Sequence, residues 1–334
     1  MAFDRNGVDL APRGRADTST ARGAMLAPAL TILLSSFLLF LVQPILAKQI
    51  LPWFGGSAGV WTTCLVFFQV TLVLGYAYAH LLTRRGIGSR QFVVHIVLVL
   101  TSLATLPIIA GPFWKEVHGI APALRILSLL TLTVGLPYFL LAATGPLLQK
   151  WLSTAASSPL PDASVFRLFA LSNLGSLLGL LSYPFLLEPA LPLRTQALAW
   201  SCGYVLFAAA AIGYTYKRRQ LPSRDGPDLS RDPQAVGHPA LRLVCFWVAC
   251  AALGSALLLS ATNQITQNVA AVPLLWIVPL SLYLFSFTVC FEGHHGRGWY
   301  VRSRWVSAAM LATGAMAWAL FADRGNLSVH VALP

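Results

Sequence analysis

Charge is scarce in this sequence. Only 10% of its 334 residues are Asp, Glu, Lys or Arg, where a water-soluble domain carries about 25%. With 57% hydrophobic residues beside it, that shortage excludes a soluble globular protein. Carboxylates are rarer still. There are 11, and none falls in the middle of an apolar run. Proton-coupled and cation-translocating carriers place a carboxylate inside the membrane, so its absence argues against a stand-alone cation pump. No Gly-x-Gly-x-x-Gly, no Walker sequence and no Gly-x-Ser-x-Gly occurs, which removes the usual nucleotide loops and the serine nucleophile elbow. No catalytic residue and no cofactor is therefore assigned. The five cysteines, Cys64, Cys202, Cys245, Cys250 and Cys290, lie in or beside apolar runs; we expect buried small hydrophobes rather than disulfides. His294 and His295 have no carboxylate or cysteine at ligand spacing, so no metal site is expected.

What the chain has instead is long apolar runs. Leu26 to Ala47 and Ala58 to Leu82 carry no charge. Each is long enough to cross a bilayer, which takes roughly 20 residues at about 1.5 Å of rise. Lipid offers backbone N–H and C=O groups no partner, so such runs must be helices. Further runs follow at about 92–109, 124–148, 166–187, 195–214, 241–261, 269–291 and 305–321. Gly135-Leu136-Pro137 is a candidate kink in the fourth. The fold class expected is all-α: a polytopic transmembrane helix bundle of about nine spans. Residues 1–25 read as a polar cytoplasmic tail, 26–216 as a first six-span half, 217–240 as a cytoplasmic linker rich in Pro, Asp and Arg, and 241–334 as part of a second half. Two halves joined by a basic linker is a major-facilitator-like layout. A second half of equal length would run on the order of a hundred residues past Pro334, so the second half is expected to be incomplete and the chain truncated.

The net charge is +12. In a soluble protein this would suggest nucleic acid; in a membrane protein it reads as orientation, and no nucleic-acid partner is expected. With the N-terminus inside, 18 of the 23 Lys and Arg fall on the inner side and five outside. That split places the chain in an inner membrane as a multi-pass protein with a cytoplasmic N-terminus. The lipid bilayer is its first partner.

A few polar and small residues stand out. Gln43, Gln69, Asn173, Asn263, Gln264 and Gln267 are amides in or beside spans. They are either interhelical glue and polar turns or the lining of a cavity for a small-molecule ligand. The stretch Thr262 to Asn268 reads as a polar corner between two spans. Gly175 and Gly179 form a small-xxx-small pattern that lets helix backbones approach closely. Trp53, Trp61, Trp114, Trp151, Trp276, Trp299 and Trp305 sit near span ends, where aromatic belts form. Lys48 and Glu188 fall at the same membrane surface, at the ends of the first and fifth spans. They either pair at the rim or snorkel separately into headgroups.

Four stretches carry a resemblance: LPWFGGSAGVWTTCLVFFQ (51–69), LPYFLLAATGPLLQKW (136–151), LFALSNLGSLLGLLSYPFLLEP (168–189) and AAVPLLWIVPLSLYLFSF (270–287). The chain resembles the membrane portion of bacterial fused major-facilitator/spermidine-synthase-like proteins. The resemblance implies a bacterial inner-membrane module joined to a C-terminal aminopropyltransferase-like domain, which would hold the catalytic machinery of polyamine synthesis. None of that domain's motifs lies in this sequence, so no catalytic residue is carried over. Two functions are expected on this basis: an anchor that holds or feeds the catalytic domain, or a transporter-like carrier of a small metabolite. A cavity lined by the amides favours the carrier; a core closed by aliphatic side chains favours the anchor.

Overall fold

The computed structural model describes residues 18–55, 58–84, 89–111, 114, 121–153, 162–220, 240–268, 277–292 and 301–331. Every regular element among them is helical. Nine helical segments follow one another in the positions of the nine apolar runs: α1 Thr18–Phe54, α2 Ala58–Thr83 and α3 Ser89–Ser102 with a 3-10 turn Leu103–Thr105. The fourth, α4, consists of Pro122–Leu130, a π-helical turn Thr131–Gly135, and Leu136–Ser153. The fifth, α5, is Asp162–Ser182, a second π-helical turn Tyr183–Leu187, and Glu188–Ala190. Then come α6 Leu193–Gln220, α7 Leu241–Asn268, α8 Ile277–Glu292 and α9 Arg302–Val331. Six of these helices are long and apolar enough to cross a membrane, and the apolar stretches Arg90–Thr105 and Ile277–Phe291 are shorter.

Several boundaries differ from the sequence reading. The helix α1 begins at Thr18, inside the expected polar tail, and α6 continues through Lys217 to Gln220 into the expected linker. Thr262 to Asn268 is the last part of α7 and not a turn. Seven consecutive residues without Gly or Pro offer nothing to stop a helix once it is running. The expected kink at Pro137 takes the form of the π-helical turn that precedes it, and Pro184 lies within the other one. Proline has no N–H for the carbonyl four residues back and its ring crowds that carbonyl. A widened turn relieves the clash.

At its C-terminal end α1 stops at Gly55, whose φ of +80° is the left-handed conformation that a glycine cap supplies. The Gly55 N–H donates to the Leu51 carbonyl.

The bundle is organised around α1. Its longest neighbour is α5, which runs parallel to it: Gly175 lies on Leu33 and Ser36, Gly179 on Phe37, and Glu188 beside Lys48. On the other side α2 and α4 also run parallel, with Gly75 against Phe139, Ala142 and Ala143. The helix α6 crosses α1 through Trp200, whose Nε1 donates to the Leu38 carbonyl at 2.8 Å. The largest core cluster fills the space between α1, α2, α4 and α6 with Leu38, Val42, Ile45, Phe68, Leu129, Tyr138 and Tyr204. A second cluster closes the end near the N-terminus of α1 with Ile32, Ala79, Phe92, Leu147 and Trp151. Against α5, α8 packs through Leu180, Ile277 and Leu284.

Outward-facing positions are apolar too. Val66, Val70, Val73 and Leu74 on α2 and Val205 and Leu206 on α6 are exposed. A contiguous apolar exterior around a closed core is what a bilayer accommodates. This explains a correction to the cysteine reading. Cys64 is buried, but Cys202, Cys245, Cys250 and Cys290 are exposed on the bundle surface. Lipid shields a thiol from water as well as a core does, so burial preference does not choose the inner face. Trp151 is a second correction: it is 1% exposed, a core residue and not a belt anchor.

Candidate functional site

The amides named from the sequence do not converge. Gln43 is buried, and its Nε2 donates to the Tyr138 hydroxyl at 3.3 Å. Gln69 is exposed on the outside of α2. Asn173 is half-buried and donates to its own helix, to the Phe169 carbonyl at 2.8 Å. The backbone of Asn263, Gln264 and Gln267 is helical, and their side chains lie outside the described residues, as do His294 and His295. Gln43 enters a core filled by apolar side chains. Among the described residues two open grooves lie on the exterior, one lined by Leu74, Tyr78, Leu81 and Phe139 and another by Val306, Met310 and Thr313 of α9.

Polar contacts gather instead at the two ends of the bundle. At the end where α1 finishes, the Lys48 Nζ and Glu188 Oε1 are 2.5 Å apart. Beside them Gln49 grips the segment that follows α3. Its Nε2 donates to the Ile108 carbonyl at 3.3 Å and its Oε1 accepts from the Ala110 N–H at 3.0 Å. The Ser201 hydroxyl of α6 accepts from the Ile108 N–H. Gln196 donates to the carbonyls of Leu187 and Leu191, two groups at the end of α5. The Arg125 guanidinium lies 4.4 Å from the centre of the Phe54 ring, a cation–π contact. These contacts satisfy backbone groups where helices end and chain segments turn.

At the opposite end, three helices meet on one tryptophan. Trp151 Nε1 donates to Gln91 Oε1 at 3.3 Å, and Arg218 Nε donates to the Trp151 carbonyl at 3.3 Å. His95 stands edge-on to the Trp151 ring, with 5.7 Å between ring centres, and its Nδ1 lies 3.3 Å from the Tyr78 hydroxyl. Sequence reasoning passed over this cluster. The available signal was Gln91 and His95, four residues apart and so on one face of α3, in a run otherwise apolar.

The chemistry open to these groups is limited. Among the described residues no group of three His, Cys, Asp or Glu side chains is placed to hold a metal ion. Among the described residues no nucleophile is held by a base that a third group orients. Compared with family models, with curated proteins and with solved structures, the chain matches none.

Proposed function

We propose that this chain is the membrane module of a spermidine-synthase-like fusion protein of a bacterial inner membrane, an anchor that holds an aminopropyltransferase-like domain at the bilayer. The support is the resemblance of the four stretches named above, taken with one structural observation. The space between α1, α2, α4 and α6 is closed by aliphatic and aromatic side chains, and Gln43, the amide that enters it, is engaged by Tyr138. A carrier must offer its cargo a polar, hydrated site near the midplane. An anchor needs only a closed, lipid-compatible bundle and an end to which a soluble domain attaches.

The test uses the full product of the native gene, purified from membranes. Assayed with decarboxylated S-adenosylmethionine and putrescine, it should transfer the aminopropyl group. Reconstituted into sealed vesicles, it should accumulate labelled putrescine and spermidine no faster than protein-free vesicles. Absence of transfer overturns the aminopropyltransferase assignment. Saturable uptake overturns the anchor in favour of the carrier.

A further inference from the structure

Beside the tryptophan knot at the Trp151 end, α2 and α4 leave a groove on the outer surface of the bundle. Its volume of about 460 Å³ is in the range of small-molecule sites. Leu74, Ala77, Tyr78, Leu81 and Leu82 of α2 and Phe139 of α4 line it. Of these six side chains only that of Tyr78 carries a polar atom. Its hydroxyl lies 3.3 Å from His95 Nδ1 on α3. The helix α2 ends at Thr83, so Tyr78 lies roughly 7.5 Å inside the span at about 1.5 Å of rise per residue. The groove is apolar, faces lipid, and has one polar point with leucines a turn away on either side.

The Tyr78–His95 pair does more than tie α2 to α3. A histidine within an apolar span is a functional candidate by default, and His95 is 3% exposed. A phenol both donates and accepts hydrogen bonds. Among the described residues His95 is the sole hydrogen-bond partner of the Tyr78 hydroxyl, so one of the two capacities is left over. Which one is set by the histidine tautomer. With its proton on Nδ1, His95 donates to Tyr78, and the tyrosine O–H is free to donate to a carbonyl. With its proton on Nε2, His95 accepts from Tyr78, and the phenol oxygen is free to accept from a hydroxyl. One tautomeric exchange therefore fits the pair to either group.

A ligand that uses all of this is neutral and carries a flat ring, an oxygen that alternates between carbonyl and hydroxyl, and a hydrocarbon tail. The rings of Tyr78 and Phe139, with 5.2 Å between centres, offer aromatic surface to a flat ring. From Leu74 the groove leads along one face of α2 to the exposed Val70 and Val66, at helical spacing. We propose that this groove binds an isoprenoid quinone, in both its quinone and quinol forms, with a ring oxygen hydrogen-bonded to the Tyr78 hydroxyl and the tail along Val70 and Val66. This inference is independent of the anchor reading.

The whole chain is purified in detergent and its thermal unfolding followed with added decylubiquinone, decylubiquinol, decylbenzene or phosphatidylglycerol. The first two should raise the melting temperature saturably. Decylbenzene has a ring and a tail but no oxygen, and phosphatidylglycerol has ester carbonyls but no ring; neither should match them. Ala77→Phe fills the groove from an exposed position and should abolish the shift. Tyr78→Phe keeps the ring, removes the hydroxyl, and should weaken the apparent affinity on the order of tenfold. Ala209→Phe, exposed on α6, should leave it unchanged. Each shift is read against the variant's own melting temperature, so a stability cost of the substitution does not enter. The proposal is overturned if decylubiquinone gives no shift, or if decylbenzene or phosphatidylglycerol stabilises as strongly. Retention of the full effect by Ala77→Phe or by Tyr78→Phe would also overturn it, the first because the ligand then lies elsewhere, the second because its oxygen is then not recognised.

Discussion

Lys48 and Glu188 lie 140 residues apart in the chain and meet at one end of the bundle. The contact joins the end of α1 to the end of α5, beside the π-helical turn and just before the Gly55 cap. It is a rim contact: the side chains are 45% and 28% exposed. Solvent screening at that exposure limits what the pair adds to stability to about 0–1 kcal/mol.

The first prediction follows from that geometry. Lys48→Glu and Glu188→Lys should each lower thermal stability in detergent by a small, measurable amount, on the order of 1 kcal/mol. The double exchange should recover most of the loss, because only groups in contact compensate each other. Equal losses that simply add in the double variant would show that the two side chains act independently.

The second prediction concerns glycines at helix crossings. A Cβ at Gly179 would run into the Phe37 backbone carbonyl, and one at Gly175 into Ser36 Oγ and, at 2.7 Å, the Leu33 carbonyl oxygen. Backbone cannot move aside as a side-chain tip can. Gly175→Ala and Gly179→Ala should therefore each cost about 1–3 kcal/mol as α5 is pushed off α1. At Gly75 the nearest atom is Ala142 Cβ at 2.8 Å and the next is the Phe139 carbonyl oxygen at 2.9 Å, and a similar loss is expected. Gly213 has nothing within 4 Å. Gly213→Ala should be neutral or stabilising by about 0.5–1 kcal/mol, as a helix-interior glycine is relieved of its entropy cost. Thermal unfolding of the four purified variants checks the ranking, and equal losses at Gly179 and Gly213 would contradict it.

The positions of the helices were legible in the sequence because length and hydropathy alone decide them in lipid. Which side of each helix faces the core was not. A soluble helix announces its buried face by a polar one opposite, but here both faces are apolar. Gln43 and Gln69 show the difficulty: both are amides within apolar runs, yet one is buried against Tyr138 and the other is exposed. Trp151 and the four exposed cysteines were misplaced for the same reason. Gly175 and Gly179 were legible as a contact because small size, unlike hydrophobicity, has one use between helices. Lys48 and Glu188 were legible as neighbours in depth through topology, while their pairing required the lateral packing of α1 on α5. The tryptophan knot left little trace, since its bonds join residues 60 and 67 positions apart.

The last prediction is topological. Arg84, Arg90, Lys150, Lys217, Arg218 and Arg219 cluster at one end of the bundle, and Lys48, Arg125 and Arg194 at the other. Basic residues are retained on the cytoplasmic side during insertion, so the Trp151 end should face the cytoplasm. Ser153, exposed at the end of α4, and Arg194, exposed at the start of α6, mark the two ends. Replaced singly by cysteine, they should react with a membrane-impermeant maleimide from opposite sides: Ser153→Cys in inverted vesicles, Arg194→Cys in intact cells. Cys245 and Cys290, exposed near the start of α7 and the end of α8, are first replaced by serine; the remaining native background should be quiet for a physical reason. Cys64 is buried, and Cys202 and Cys250, exposed in mid-helix, should face lipid, where no water supports the thiolate that attacks the reagent. Dissolving the membrane in denaturing detergent should make all three react. Labelling of Ser153→Cys and Arg194→Cys from the same side would show that the end of α4 and the start of α6 do not lie on opposite membrane surfaces, and the arrangement of the whole bundle in the bilayer would have to be redrawn.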